Sequence, residues 1–274
     1  MDSKTKPPNK ATYTSELIAV PNVPIVKPGD NITKIILDSV NSAGLMLKDG
    51  DIIAIASKII SKAENRLVSL KTVIPSPRAE KIAKRSGKDP RVVQLMFREG
   101  EIVNVRSGIV EVYHRLGFLC TSAGIDRSNA GDPNAEIVSL LPLDPDASAQ
   151  KIRNEIKEST GTEVGVIIND SLGIKYRVGS IGLAIGVAGI PPILTGAPDQ
   201  TDLYGKKRGV NISFADEASA AASMMMGQST EGRPIVILRG LKYKRGDGKM
   251  LDLISKDQLA SDMEKLRRGE HVLG

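Results

Sequence analysis

Two aspartates and a short Ser-Lys pair each follow an apolar run, and these positions are the first candidates for chemistry. Asp126 and Asp170 come directly after such runs, and Ser57 and Lys58 follow the run DIIAIA. In sheets flanked by helices, ligands collect in crevices at strand ends. Two carboxylates at the ends of separate strands can hold Mg²⁺ or Mn²⁺, which take oxygen ligands and keep several waters. The alternative, that both aspartates merely cap helices or turns, is favoured by the bare pattern.

Two further side chains, Ser171 and Lys62, can extend this set. The Ser171 hydroxyl can add an oxygen ligand to a metal, as the Ser or Thr of a phosphate-binding loop does. Lys58 and Lys62 are four residues apart, so both can face a phosphate chain if the segment is helical. The same Ser and Lys content is also typical of an exposed turn.

A polar loop with glycines near both ends lies late in the chain, with the sequence Met226-Gly227-Gln228-Ser229-Thr230-Glu231-Gly232. The glycines allow backbone amides to approach a ligand closely. Gln228 or Glu231 can supply a further oxygen ligand. A simple helix-to-strand connection explains the segment equally well.

Several well-known signatures are missing from the chain. It has no G-x-x-x-x-G-K-[ST] loop, no G-x-G-x-x-G fingerprint and no G-x-S-x-G nucleophile turn. One Cys and two His residues cannot supply a closed zinc site. If the protein binds nucleotide phosphates, it does so without the common loop.

The composition points to a cytoplasmic globular protein that binds small anions. The formal charge is +6, but Lys and Arg alternate with acids along most of the chain. Aromatic residues are only 3%, so the stacking surfaces that bind single strands are lacking and nucleic acid is disfavoured. No apolar stretch approaches the ~20 residues of a membrane span, and no signal-peptide core is present. Cys120 lies in an apolar run and is expected to be a buried thiol.

Apolar runs alternate with capped helices, which predicts a mixed α and β architecture without internal repeats. Pro at the first helical position is a recurring start signal. The expected strands cover residues 16–20, 51–56, 102–112, 164–168 and 234–238. The expected helices cover 31–43, 216–226 and 256–268, and further helices begin at Ser76-Pro77, Asp89-Pro90 and Asp144-Pro145.

Short segments spread over most of the chain, from about Ile18 to Gly240, together resemble the coenzyme F420:L-glutamate ligases. Each segment means little alone, but their order along the chain is specific. They are VPIVKPGD at 23–30, DGDI at 49–52, SK at 57–58, SKAENR at 61–66, TSAGIDRSN at 121–129, LPLDPDASA at 141–149, DLYG at 202–205, ADE at 215–217 and MGQ at 226–228.

The resemblance implies an α+β, two-lobed mixed-sheet ligase fold in an intertwined homodimer. The expected division is a tail at 1–14, a γ-glutamyl ligase domain at 15–245 and a C-terminal helical segment at 246–274. The implied reaction is GTP-dependent ligation of L-glutamate to the anionic 5-deazaflavin precursor of coenzyme F420. An acyl phosphate forms first, and the glutamate amine attacks it to give an amide.

The resemblance also implies a role for individual residues. Asp126 and Asp170 hold one Mg²⁺ or Mn²⁺, Ser171 and Gln228 hold a second, and K⁺ is a possible further ion. Asp126, Asp170 and Lys58 are the expected catalytic residues. The residues expected around GTP are Val23, Pro24, Ile25, Val26, Ser57, Lys58, Lys62, Asn129, Met225, Met226, Gly227, Gln228, Ser229, Thr230, Glu231 and Gly232.

Two departures from the family pattern leave the acceptor open. Asn169-Asp170-Ser171 stands where the family has Ser or Thr, Asp and Thr, so the hydroxyl is kept. Gly173-Ile174-Lys175-Tyr176-Arg177 replaces a Gly-Arg pair and an aromatic residue, so Ile174 removes a charge. The alternatives are a ligase of the same family with another carboxylate acceptor, and a non-catalytic basic protein that binds nucleotide or RNA.

Overall fold

The computed structural model describes residues 12–131, 133–173, 178–196 and 201–268. Its strands are β1 (Glu16–Ala19), β2 (Ile52–Ala56), β3 (Leu67–Ser69), β4 (Gly100–Arg106), β5 (Ile109–His114), β6 (Leu119–Thr121), β7 (Ile137–Ser139), β8 (Gly165–Gly173), β9 (Ser180–Ala188), β10 (Leu194–Thr195), β11 (Asn211–Ile212) and β12 (Ile235–Arg239). Its α-helices are α1 (Ile32–Ser42), α2 (Ser57–Ala63), α3 (Pro77–Ser86), α4 (Pro90–Glu99), α5 (Pro145–Thr160), α6 (Phe214–Met226) and α7 (Lys256–Arg267).

A five-stranded mixed sheet forms the main body, in the order β1-β12-β2-β8-β9. β2 and β8 are parallel, and the other neighbours in this sheet are antiparallel. Both faces are covered by helices, so β2 reads as a continuous apolar run rather than an alternating one. The prediction of an α+β architecture is confirmed.

Alternate residues of the central strands enter two different cores. On one face, Ile53 and Ile55 of β2 pack with the apolar sides of α1 and α5. On the other face, Ile52 and Ala54 pack against α6. A Cβ atom at Gly182 of β9 would lie 2.8 Å from a backbone oxygen of α6, so a glycine is required where this Ala-rich helix approaches the sheet. The two-residue period of β2 therefore holds helices on both faces of the sheet.

A third hydrophobic cluster is built separately from the main sheet. It contains apolar residues of α3 and α4, together with Val110 and Val112 of β5. The strands β4, β5 and β6 form their own antiparallel sheet, and β3 pairs with β7. We call this third cluster, which lies apart from the main sheet, the second core. It carries the segment that ends at Asp126, because the Asp126 amide donates to the Ser139 carbonyl at 3.1 Å and the Ser139 amide donates back at 2.8 Å.

The helix ends follow the local signals in the sequence. Asn31, Ser76, Asp89 and Asp144 each accept a backbone N–H at the start of a helix. Pro77, Pro90 and Pro145 occupy the first helical positions. Because a side-chain oxygen at the N-cap satisfies an otherwise free amide, these starts are fixed by local sequence alone. The predicted helices at 31–43 and 256–268 are confirmed to within a residue at each end.

Three predictions about strands were wrong. The run 102–112 is two strands, β4 and β5, joined by a tight turn at Ser107-Gly108 where Gly108 has a φ of +76°. β8 continues beyond the predicted end at Ile168 to Gly173. The uncharged glycine-rich segment 179–192 contains β9, which was not predicted as a strand.

Cys120 is buried at 5% exposure, as predicted, and burial raises the pKa of its thiol to about 12. Among the described residues, no helix is both long enough and apolar enough to cross a membrane. Two of the sequence interpretations fall outside this part of the chain. They are most of the predicted tail at 1–14 and the departure at Ile174 to Arg177.

Candidate active site

The junction of β2 and α2 presents a hydroxyl and an ammonium group at one edge of the main sheet. β2 ends at Ala56, and Ser57 and Lys58 form the first turn of α2. The Ala56 amide donates to the Pro234 carbonyl at 2.8 Å, which fixes this junction to the residue before β12. Ser57 is buried, whereas the Lys58 side chain is 21% exposed. Two polar groups from consecutive residues therefore reach the same edge.

Asp170 lies on β8 where this strand leaves the core. The Ser57 hydroxyl donates to Asp170 Oδ1 at 2.5 Å. Burial raises the pKa of Asp170, and the negative charge of Asp126 raises it further, while Ser57 and Lys58 offset only part of this effect. Asp170 is thus a carboxylate whose charge the surrounding protein groups do not fully balance.

Asp126 approaches the same place from the second core. Its carboxylate forms an ion pair with Lys58 and accepts the Ser128 amide at 2.8 Å and the Ser128 hydroxyl at 2.6 Å. Burial opposes ionisation of Asp126, but the hydrogen bonds from Lys58 and Ser128 outweigh it and hold the pKa of this carboxyl below its ordinary value. Since Ser57 binds Asp170 and Lys58 binds Asp126, the two carboxylates are joined through adjacent residues.

Both aspartates line one open cavity of about 700 Å³. Almost every residue expected around the nucleotide and the metals lies on its wall. These residues are Val23, Pro24, Ile25, Val26, Ser57, Lys58, Lys62, Asp126, Asn129, Asp170, Ser171, Met226, Gly227, Gln228, Ser229, Thr230, Glu231 and Gly232. Met225 differs, because it packs against the hydrophobic core beside α6 and does not line the cavity.

The alternating side chains of β8 divide the oxygen donors between two sides of the sheet. Asn169 is buried on the α6 side, where it accepts from the Ser219 hydroxyl and donates to Met226 Sδ at 3.4 Å. Asp170 points to the opposite side, toward α2. Successive side chains on a strand alternate, so Ser171 returns to the α6 side, where Gln228 follows the helix. Asp170 and Ser171, which were predicted to bind different metal ions, therefore lie on opposite sides of β8.

Two cations of the cavity wall form no ion pair with another described residue. They are Lys62 and Arg233. Burial lowers the pKa of Lys62, and the neighbouring charge of Lys58 lowers it further. An anion bound between the Lys58 and Lys62 ammonium groups would offset their mutual repulsion, so this part of the cavity favours a negatively charged ligand.

The glycine-containing loop, residues 226–232, forms part of the cavity wall. The Asn129 side-chain amide donates to the Ser229 carbonyl at 3.0 Å, so the loop is tied to the segment that carries Asp126. On another part of the wall, Val26 is buried while Ile25 is 82% exposed. The cavity wall thus combines apolar side chains, a polar loop and charged side chains.

Sequence reasoning did not select three residues that shape this site. Ser128 positions the Asp126 carboxylate, and its Asp-x-Ser spacing is a recognisable side-chain turn signal. Asn169 connects β8 to α6, and Arg233 adds a cation to the cavity wall. No sequence signal identifies these two, because their roles depend on contacts between distant segments.

The donor set fits Mg²⁺ or Mn²⁺. It consists of two carboxylates, a hydroxyl and an amide oxygen, and hard cations prefer oxygen ligands. No group of three or more His, Cys, Asp or Glu side chains suited to a metal occurs in the described part of the chain. Mg²⁺ usually binds through one or two carboxylates together with substrate phosphates, so this set is sufficient only if a ligand completes it.

A cavity of this size with convergent charged and polar groups is typical of an enzyme active site. Comparison with known proteins supplies the class. Residues 21–240 match the model of the F420-0:Gamma-glutamyl ligase family, and the chain belongs to that family of ligases.

Individual relatives match nearly the whole chain. The Coenzyme F420:L-glutamate ligase of Methanothermobacter thermautotrophicus is 43% identical over 247 residues, which cover 89% of this chain and 96% of that protein. The protein of the same name from Methanopyrus kandleri is 43% identical over 219 residues, or 79% of this chain and 83% of the relative. The one from Archaeoglobus fulgidus is 37% identical over 244 residues, or 89% and 94%.

Proposed function

We propose that this protein joins L-glutamate to the carboxylate of a 5-deazaflavin precursor of coenzyme F420, using GTP and divalent cations. The relatives named above carry the name Coenzyme F420:L-glutamate ligase, and they match the chain over most of its length. The observation that carries the proposal is the convergence of Asp126 and Asp170 beside unpaired cations in one cavity. Transfer of a phosphoryl group needs this combination of positioning and charge neutralisation.

The nucleotide is proposed to lie between the 23–26 segment and the glycine-containing loop. Val23 and Ile25 offer apolar contacts for the base and the ribose, while Lys58 and Lys62 face the phosphates. Backbone amides of the loop provide further donors to phosphate oxygens. Asn129 holds the loop in place through Ser229.

One divalent cation is proposed to bind Asp126 and Asp170, and a second to bind Ser171 and Gln228. Bound Mg²⁺ or Mn²⁺ would neutralise phosphate charge and polarise the transferred phosphoryl group. The uncompensated charge of Asp170 supports this placement, because a cation would offset it. Lys58 keeps Asp126 ionised and oriented through their ion pair. K⁺ is proposed as an additional activating ion.

The reaction has two covalent steps. A carboxylate oxygen of the deazaflavin substrate attacks the γ-phosphorus of GTP, and the bond to the β-phosphate oxygen breaks, which gives an acyl phosphate and GDP. The glutamate amine then attacks the acyl carbon and loses a proton, and inorganic phosphate leaves. The amide is the product. In both steps the protein holds negatively charged reactants together, which supplies much of the rate enhancement.

A homodimer is proposed as the working assembly. Several large apolar side chains are exposed in the 201–212 region, with Leu203 at 74% and Tyr204 at 89%. Exposed apolar residues of this kind mark contact surfaces when they are contiguous. Light scattering coupled to size-exclusion chromatography measures the assembly directly, and a monomer at micromolar concentration contradicts this part of the proposal.

The decisive test is incubation with GTP, Mn²⁺, L-glutamate and the unglutamylated deazaflavin, followed by mass spectrometry. The expected product is the deazaflavin carrying added glutamate, with GDP and phosphate formed in equal amounts. Reactions without GTP, or with EDTA, serve as controls. GTP consumption without glutamate on the deazaflavin, but with another carboxylic acid, identifies a different acceptor. Metal-independent binding to RNA that weakens steeply with salt contradicts the ligase proposal.

A further inference from the structure

Glu231 folds back onto its own loop in the candidate nucleotide site. Its carboxylate oxygen Oε2 accepts the Ser229 amide at 2.7 Å. The Ser229 amide, followed by the amides of Glu231 itself and Gln228, holds the pKa of the Glu231 carboxyl below its ordinary value. A backbone amide directed at a negative group in such a glycine-containing turn is a typical element of an anion-binding surface. In this structure an acidic side chain of the protein occupies that surface.

Gly227 makes this arrangement possible. A Cβ atom at residue 227 would lie 2.2 Å from the carboxyl carbon of Glu231, so a larger residue there would push the carboxylate out of its present position. Gly227 also has φ and ψ values of +74° and −174°, a region that is essentially restricted to glycine. The glycine therefore creates the space in which the carboxylate rests on the loop.

We propose that the Glu231 carboxylate is an internal substitute for a phosphate group, and that a phosphate of the nucleotide displaces it from the loop amides. This inference rests on the proposed function and concerns the same site. Carboxylate and phosphate oxygens use the same backbone donors, and both bring negative charge, so they cannot share one set of amides. The internal carboxylate prevents the loop from collapsing in the free protein and lowers its affinity for nucleotide.

The expected change in phosphate affinity follows from competition between the Glu231 carboxylate and the phosphate group for the loop. A ligand that binds only the unoccupied form has its apparent affinity reduced by the fraction of protein in that form. An exposed intramolecular carboxylate holds the loop only weakly. We therefore expect removal of the competitor to tighten phosphate binding by roughly threefold to tenfold.

The test compares wild-type protein with Glu231→Gln and Glu231→Asp by calorimetric titration. GTP and inorganic tripolyphosphate are the probes, each with Mn²⁺ and with EDTA. Glu231→Asp keeps the charge but shortens the side chain by one methylene, so it withdraws the carboxylate from the amides. Both variants are expected to bind both probes more tightly than wild type. Glu158→Gln, which removes an exposed charge from α5, should bind as wild type does.

The outcomes separate the possible roles of Glu231. Tightening in Glu231→Gln alone shows a general charge effect and overturns the displacement model. Weaker GTP binding in Mn²⁺ for either variant overturns it as well, because Glu231 then holds the metal or the nucleotide. If tripolyphosphate binds more tightly to both variants but GTP binds to none of the proteins, the displacement model stands and the nucleotide proposal fails. If wild type binds neither probe, both proposals fail.

Discussion

Two clusters of charged side chains in this protein are built in opposite ways. In the second core, Glu99 accepts two hydrogen bonds from Arg66 at 2.8 Å and one from Arg115 at 3.1 Å, and His114 lies 3.5 Å away. Burial opposes ionisation of Glu99, but His114 and the two arginines outweigh it and lower the pKa of this carboxyl to about 2. One carboxylate has several cationic partners.

The candidate active site has the reverse balance. Lys58 acts on both Asp126 and Asp170, but the pKa of Asp170 remains raised by burial and by the charge of Asp126. A buried carboxylate with too few partners lowers folding stability, and such imbalance is concentrated at functional sites. The comparison indicates that the Glu99 cluster stabilises the fold, whereas the charge of Asp170 is left incompletely balanced, as the proposed cation site requires.

The Glu99 cluster also has a clear structural task. Arg66 Nε donates to the Leu141 carbonyl at 2.9 Å, and Arg115 donates to the Pro142 carbonyl at 2.9 Å and to the Leu143 carbonyl at 2.5 Å. Residues 141–143 lead directly into α5 of the main body. The balanced charges therefore connect the second core to the main sheet.

The largest expected effect is on the activity of Asp170→Asn and Asp126→Asn. Each variant should lower kcat/KM by about 10³-fold or more, because an essential charge-stabilising ligand is lost. The free energy of unfolding of Asp170→Asn should change by less than about 1 kcal/mol, because the charge of this carboxylate is poorly compensated in the fold. Asp126→Asn loses the half-exposed ion pair with Lys58 and should cost about 1 kcal/mol. Product formation by mass spectrometry and urea unfolding measure the two quantities.

A thermal shift assay adds a control that does not depend on turnover. Excess Mn²⁺ with GTP should stabilise wild type by about 3 kcal/mol at one hundred times the dissociation constant, and it should not stabilise Asp170→Asn. Full Mn²⁺-dependent stabilisation of Asp170→Asn, or retained turnover in either variant, removes the aspartates from the metal site.

Glu99→Gln should lower the free energy of unfolding and leave GTP binding unchanged, the reverse of what is expected for the aspartate variants. Loss of the carboxylate leaves Arg66 and Arg115 partly buried without their counterion, and breaking such a cluster costs about 3 kcal/mol of unfolding free energy. The affinity of the folded protein for GTP should be unchanged. Asp38→Asn, which breaks the exposed pair with Lys34, is the matched control and should cost less than about 1 kcal/mol. Equal effects of the two changes would show that the cluster does not stabilise the fold.

The contribution of Glu99 to the free energy of unfolding should depend on pH. The pKa of Glu99 falls from an ordinary value of 4.5 to about 2 on folding, so its contribution is complete above pH 4.5 and disappears as the pH falls to about 2. The loss is on the order of 3 kcal/mol. The difference in urea midpoint between wild type and Glu99→Gln should therefore narrow over this range. A constant difference from pH 7 to pH 2.5 contradicts the assignment.

Local signals predicted the parts of the fold that depend on neighbouring residues. The capped helix starts at Ser76-Pro77 and Asp89-Pro90 were predicted because the cap is made within one turn. The continuous apolar run 51–56 predicted β2, because a strand buried on both faces needs no alternation. The apolar runs before the two aspartates made them candidates, but only the family resemblance predicted them as a pair, and the structure places both on one cavity.

Features of the fold that depend on contacts between distant segments were not predicted. β9 has glycines where α6 and α5 approach the sheet: a Cβ atom at Gly186 would lie 2.5 Å from Pro145, so the usual β-branched residues are excluded there. The hairpin of β4 and β5 was predicted as one strand region, 102–112, because its turn has only two residues. Asn169 acquires its position from contacts with Ser219 and Met226 of α6, and these contacts have no pattern in the sequence.

A more modest change in GTP affinity should distinguish a cation that faces the ligand, Lys62, from an exposed surface cation, Lys151. Lys62→Ala should weaken GTP binding by roughly tenfold, because an unpaired ammonium group in the cavity is lost, while kcat at saturating GTP is unchanged. Lys151→Ala, which removes an ammonium that is 73% exposed on α5, should have no effect on GTP affinity. Titration calorimetry with Mn²⁺ measures both. Unchanged affinity in Lys62→Ala would mean that its lowered pKa reflects burial beside Lys58 alone, and that the anionic ligand lies closer to Arg233.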